Sequence, residues 1–154
     1  MTTNPRSTAR SAARLAAVQA LYQQQMEKTP INRLLDEFHQ HRLGAEIEDL
    51  QFAEAETAFF DDVVRGVDAR RDEIDLLLSA RLAQGWTLVR LDKTMLQILR
   101  AGAWELMARA DVPTGSAISE YVDVAHAFFP EGREAKFVNA VLDHMAHEAK
   151  PEAF

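Results

Sequence analysis

The sequence predicts an all-α protein, and three observations carry that expectation. Apolar residues recur at spacings of three and four along most of the chain. No run of four or more residues alternates apolar with polar side chains as a half-buried strand requires. Pro5, Pro30, Pro113, Pro130 and Pro151, with Gly44, Gly85, Gly115 and Gly132, fall between the periodic segments rather than inside them. What lies between these breaks reads as about seven helices.

The first helix is expected over about 8–26, with Leu15, Val18, Tyr22 and Met26 facing inward. A short second helix, about 31–40, uses Ile31, Leu34, Leu35 and Phe38, and an acidic connector follows over about 42–53. The third, about 54–70, carries Phe59, Phe60, Val63, Val64 and Val67. A fourth begins with Asp72, Glu73 and Asp75, whose carboxylates suit the positive end of a helix dipole, and buries Ile74, Leu77, Leu78 and Leu82.

The fifth helix, about 90–109, has the strongest pattern. Leu91, Met95, Ile98, Leu99, Gly102 and Leu106 form one stripe, and Leu96, Ala103 and Trp104 widen it. Apolar residues over so much of the circumference imply a central helix touched from several sides. Glycine costs roughly 1 kcal/mol against alanine inside a helix, so Gly102 implies a close helix approach. The sixth helix, about 115–129, uses Ile118, Val122, Ala125 and Phe129; the seventh, about 133–148, uses Val138, Val141, Leu142 and Met145.

A chain of 154 residues fits one domain or two small subdomains. It has no cysteine, which removes disulfides, thiolate zinc sites and cysteine nucleophiles together and suits a reducing cytoplasm. No stretch approaches the roughly 20 apolar residues that a membrane span needs. Residues 1–26 hold three arginines and no acid and are rich in Ala, Ser and Thr, a composition shared with targeting peptides. Their apolar run over 15–22 is broken by Gln19 and followed by Gln23, Gln24 and Gln25, so a resident helix is expected instead.

The net charge of −7 is unevenly spread. Residues 27–62 hold ten acids against three bases, and the chain beyond them is nearly balanced, with fourteen acids and eleven bases. At physiological salt, charges beyond about 8–10 Å are largely screened, so a basic end on an acidic protein still attracts phosphate.

Catalytic constellations are missing. The six glycines are scattered, with no phosphate-cradling loop. His144 and His147, and His39 and His41, read as surface histidines rather than metal ligands. Asp72, Glu73 and Asp75 read as helix-start charge rather than an acid/base pair. The expectation is a protein that is not an enzyme and takes no cofactor or metal.

Two groups point to nucleic acid. Arg6, Arg10 and Arg14 are spaced by four, and each such step turns about 40° beyond a full helical turn, so Arg10 and Arg14 share a face. Arg6, beside Pro5, is expected in the arm before the helix. With Leu15, Val18 and Tyr22 inward, the arginines flank that face or point away, where guanidinium groups in line suit phosphates along a strand. The plain alternative is a solvated helix face. Arg133, Lys136, Phe137 and Asn139 form the second group, at the start of the last helix. A ring at the core boundary beside two cations suits stacking on an unpaired base, and Asn139 suits a base edge. The alternative is that Phe137 is peripheral core.

Several segments resemble the NusB family in order and spacing. Residues 13–22, ARLAAVQALY, are similar to its first helix, and 99–106, LRAGAWEL, to its fifth. Asp111, Val112 and Pro113 follow, then Ile118, Ser119 and Glu120, and residues 136–143, KFVNAVLD, are similar to the last helix. The resemblance runs from about residue 8 to 146. It implies two small packed helical bundles, which we divide into an N-terminal subdomain over about 8–84 and a C-terminal one over about 85–150. It also implies a transcription antitermination factor that binds boxA RNA with NusE, a small-subunit ribosomal protein, within an RNA polymerase antitermination complex. The family's arginine-rich start matches Arg6, Arg10 and Arg14, and its RNA-facing last helix matches Lys136 and Phe137. The sequence departs at Ser11 and Ala12, where the family carries more arginine, and at Ala140, where it commonly has glycine. The NusE surface is assigned to Asp92, Lys93 and Gln97. The rival reading is a helical scaffold that binds protein partners and no RNA, which the acidic segment 27–62 favours.

Overall fold

The computed structural model describes the backbone of residues 5–40 and 50–149 and the side chains of 9–40 and 56–148. Among the described residues there is no strand, and six α-helices follow in order. They are α1 (Pro5–Glu27), α2 (Ile31–Phe38), α3 (Leu50–Ser79), α4 (Lys93–Ala108), α5 (Thr114–Phe128) and α6 (Arg133–Ala149), with a 3-10 turn at Leu88–Arg90. Six helical stretches appear rather than seven because the expected third and fourth helices follow one another with no loop between them. Arg70, at φ −117° and ψ 22°, leaves the helical conformation and marks the kink where the two meet, at the expected end of the third helix. Asp72, Glu73 and Asp75 accordingly lie in the first turns after that kink. Most of the acidic connector, 41–49, lies outside the described residues, and its end from Leu50 is helical.

The chain forms two compact units, Met1–Asp68 and Ala69–Phe154. The sequence reading divides it later, at 84/85. The intervening residues go with the second unit for a visible reason: Asp75 accepts two hydrogen bonds of 2.8 Å from Arg100 of α4.

In the first unit α1 packs on α2. Lys28, at φ 55°, ends α1 in the left-handed conformation and donates its backbone N–H to the Gln24 carbonyl at 2.8 Å. The inner face of α1 differs in part from the expected one: Val18 is buried, but Tyr22 and Met26 are not. Ala13, Ala17, Val18, Ala20 and Leu21 are buried, whereas Tyr22 is 39% exposed and Met26 is exposed. At roughly 100° per residue, the centre of the buried face lies about 180° from Leu15 and Tyr22. Alanines make most of that face, so a search for large apolar side chains finds Val18 but misplaces the centre. Phe38 of α2 stacks on Phe60 of α3 with ring centres 5.6 Å apart. Phe59, Phe60, Val63, Val64 and Val67 are fully buried as expected, each phenylalanine worth roughly 1.5–3 kcal/mol.

The second unit is built around α4, against which α5 and α6 both pack while packing on each other. Every residue from Leu96 to Leu106 is buried, as the broad apolar pattern implies. A Cβ added at Gly102 would lie 2.7 Å from Leu142 Cδ1 and 3.3 Å from Tyr121 Cγ. The close approach inferred from the glycine is real. Ile118, Ala125, Val138, Val141, Leu142 and Met145 occupy the same core. Buried Tyr121 donates its hydroxyl to buried Glu105, so the two polar groups in this apolar centre satisfy each other.

Candidate nucleic-acid interface

Each unit contains one of the two cationic groups. Arg10 and Arg14 lie on α1, at roughly 220° and 260° on a wheel whose buried face centres near 185°. They consequently turn toward the interior, which corrects the expectation that they flank the core or point outward. Both guanidinium carbons sit over the Phe59 ring, Arg10 at 4.5 Å and Arg14 at 4.9 Å from its centre. Arg14 is 3% exposed. The Arg10 side chain is 32% exposed, and its Nε faces the buried Glu56 carboxylate at 3.6 Å. That distance is an ion pair rather than a hydrogen bond. Arg6 falls in the first turn of α1, not in a preceding arm, because the helix begins at Pro5, a residue suited to a first helical position. The Arg6 side chain lies outside the described residues.

Glu56 and Phe59 were not singled out from the sequence as site residues. Phe59 reads as core, which it is, and Glu56 reads as one of many acids in 27–62. Nothing in a linear pattern joins residues 10, 14, 56 and 59. Only the packing of α3 against α1 assembles them.

The second group faces solvent. Gly132, at φ 88°, makes the turn that starts α6. Arg133 is 83% exposed and stands 3.7 Å from the equally exposed Glu131, an ion pair of negligible strength. Lys136 and Asn139 are exposed and Phe137 is half-buried, so the ring lies at the core boundary with cations beside it. This geometry suits a ring edge open to a base and charges free to meet phosphate.

The residues assigned to the protein partner divide. Asp92 is exposed but caps α4, accepting from the backbone N–H of Thr94 at 2.8 Å and Met95 at 3.2 Å. Lys93 is half-buried. Gln97 is 0% exposed and accepts from Arg100 at 3.4 Å, so it belongs to the core and not to a partner surface.

The remaining polar clusters have local roles. Arg70 donates two 2.9 Å hydrogen bonds to Glu73, and this contact raises the arginine pKa and lowers that of the glutamate. His144 pairs with Glu148 at 3.0 Å, His147 with Asp143 at 3.5 Å, and His39 with Asp61 at 2.6 Å; His41 lies outside the described residues. Among the described residues, no group of three or more His, Asp or Glu side chains is placed to hold a metal ion, and no helix is long and apolar enough to cross a membrane.

Comparison with known proteins places these features. Residues 11–147 match the NusB family. The transcription antitermination protein NusB of Novosphingobium aromaticivorans is 75% identical over 142 residues, covering 92% of this chain and 95% of that protein. Its counterpart from Sphingopyxis alaskensis is 61% identical over 147 residues, covering 96% and 98%. Among solved structures, T. maritima NusB superposes with a TM-score of 0.76 at 29% identity, covering 100% of this chain and 99% of that one. A chain from the structure of antitermination factors NusB and NusE in complex with dsRNA gives a TM-score of 0.75 at 23% identity, covering 92% and 98%, a likeness of fold.

Proposed function

The chain belongs to the NusB family, and from that premise we propose that it is a transcription antitermination factor. It binds boxA-type single-stranded RNA together with NusE and supports transcription of ribosomal RNA within an RNA polymerase antitermination complex in the cytoplasm. It acts by binding, not by catalysis. The observation that carries this reading is the match to the family over residues 11–147, nearly the whole chain. The solved complex of NusB and NusE with dsRNA supports the pairing of protein and nucleic-acid partners.

In this reading Arg6, Arg10, Arg133 and Lys136 meet phosphates, Phe137 stacks on a base, and Asn139 reads a base edge. Arg14, buried over Phe59, supports the site from within. Asp92 and Lys93 remain the proposed NusE contacts. Few phosphates are neutralised, so NusE adds surface and the pair binds more tightly than either protein alone.

A second reading, a helical scaffold without RNA binding, draws on one observation: Arg10 and Arg14 turn inward and Arg10 faces Glu56. Fluorescence anisotropy with labelled single-stranded boxA RNA and a duplex of the same sequence, with and without NusE, separates the two. Binding by the pair that weakens with salt is expected, with a slope of about −0.7 per phosphate on single strands. No RNA binding at low salt in the presence of NusE establishes the scaffold.

A further inference from the structure

We propose that Phe59 is a positioning residue for RNA binding: it holds the Arg10 guanidinium where a phosphate meets it, with Arg14 retained as packing beneath. The inference rests on the RNA-binding reading and adds to it a core residue in the middle of α3. Phe59 is itself buried and cannot stack on a base, so any effect it has on RNA passes through the side chains it touches. Among them are two arginines, 4.5 and 4.9 Å from the ring centre, both within the roughly 6 Å range of cation–π attraction.

The two cations are not equivalent. Arg10 reaches solvent and Arg14 does not. Arg10 is also fixed at a second point, because its buried Nε stands 3.6 Å from Glu56, whose carboxylate is enclosed in the same unit. A long side chain held by a ring on one side and a carboxylate on another has lost most of its rotamer freedom before ligand arrives. Binding then proceeds without that ordering cost, which is how preorganisation raises affinity. Glu56 also cancels part of the charge, so Arg10 contributes through placement more than through raw field.

The test uses the full chain with NusE and single-stranded boxA RNA. Phe59→Leu keeps an apolar core residue and removes the ring. It is expected to weaken RNA binding about 2- to 5-fold, the cation–π range for a solvent-reaching cation converted at tenfold per 1.4 kcal/mol. It should also shrink the salt slope by up to about 0.7, one phosphate contact, while NusE affinity stays at the wild-type value. In an Arg10→Ala background the same change should have no further effect on RNA, which a purely structural role would not produce. Phe59→Leu with wild-type affinity and slope, or with an undiminished effect in the Arg10→Ala background, overturns the proposal. Should Phe59→Leu fail to fold, Arg10→Lys decides without touching the core: it keeps the charge and loses planar stacking, so a loss of similar size supports the proposal and wild-type affinity overturns it. Absence of RNA binding by the unaltered protein with NusE overturns the RNA reading itself, a result separable from the others.

Discussion

The two cationic groups hold the same residue types in opposite states. At the start of α6, Arg133 and Lys136 stand in water beside a half-buried Phe137. On α1, Arg14 is buried and Arg10 half-buried against the fully enclosed ring of Phe59, with an acid below. The first arrangement offers mobile charge at little structural cost. The second stores charge inside a core, where it is ordered and tied to stability. A cation that is ordered before binding contributes geometry, whereas a solvated one contributes field.

The largest test of that contrast exchanges like for like at the two rings. Phe59→Ala should destabilise the protein by about 3–5 kcal/mol, as for a fully buried aromatic, and Phe137→Ala by about 1–2 kcal/mol. Denaturant unfolding measures both, and equal losses would erase the distinction between core ring and boundary ring. The arginines come next. Arg14→Ala should cost about 1–3 kcal/mol through lost packing and stacking, while Arg133→Ala stays within about 0.5 kcal/mol. The same unfolding curves report this pair.

Binding should reverse the order. Arg133→Ala is expected to weaken boxA RNA binding a few-fold and reduce the salt slope by about 0.7, with stability unchanged. An unaltered slope would remove Arg133 from the interface. The smallest effect concerns the kink in α3. Hydrogen bonding to Arg70 lowers the Glu73 pKa, so the carboxylate binds protons less readily when folded than when unfolded. Its contribution is therefore full above the unfolded carboxylate range and fades as pH falls through the folded value. The pair lies at the surface, where water screens it, so Arg70→Ala should flatten the acid side of the melting-temperature profile only slightly.

Much of the fold was legible. The broad apolar pattern of 90–109 announced a central helix, and Gly102 announced the close approach of Leu142 and Tyr121. The apolar spacing over 138–145 marked the inner face of α6 and left Lys136 and Asn139 outside. On α1 the same method found Val18 but put Tyr22 and Met26 on the inner face, where they are not. Its buried side is mostly alanine, which carries little hydrophobic signal, and Tyr22 stands exposed on the side opposite. Gln97 misled in a similar way: a polar side chain reads as surface, yet its carbonyl is met by Arg100 inside the core. The cluster of Arg10, Arg14, Glu56 and Phe59 joins positions more than forty residues apart and has no linear signature.

The sequence by itself determined the helical class, the kinship with NusB proteins, the core of the second unit and the placing of basic charge at the start of α1 and α6. Those follow from periodicity and composition, which are local properties of a chain. Tertiary structure decided how the buried face of α1 is centred, that a kink at Arg70 rather than a loop separates the two halves of α3, and which arginines meet water. Those depend on what packs against what. A small side chain becomes an inner face only when another helix approaches it, and a cation becomes ordered only when a ring and a carboxylate from elsewhere in the chain close around it.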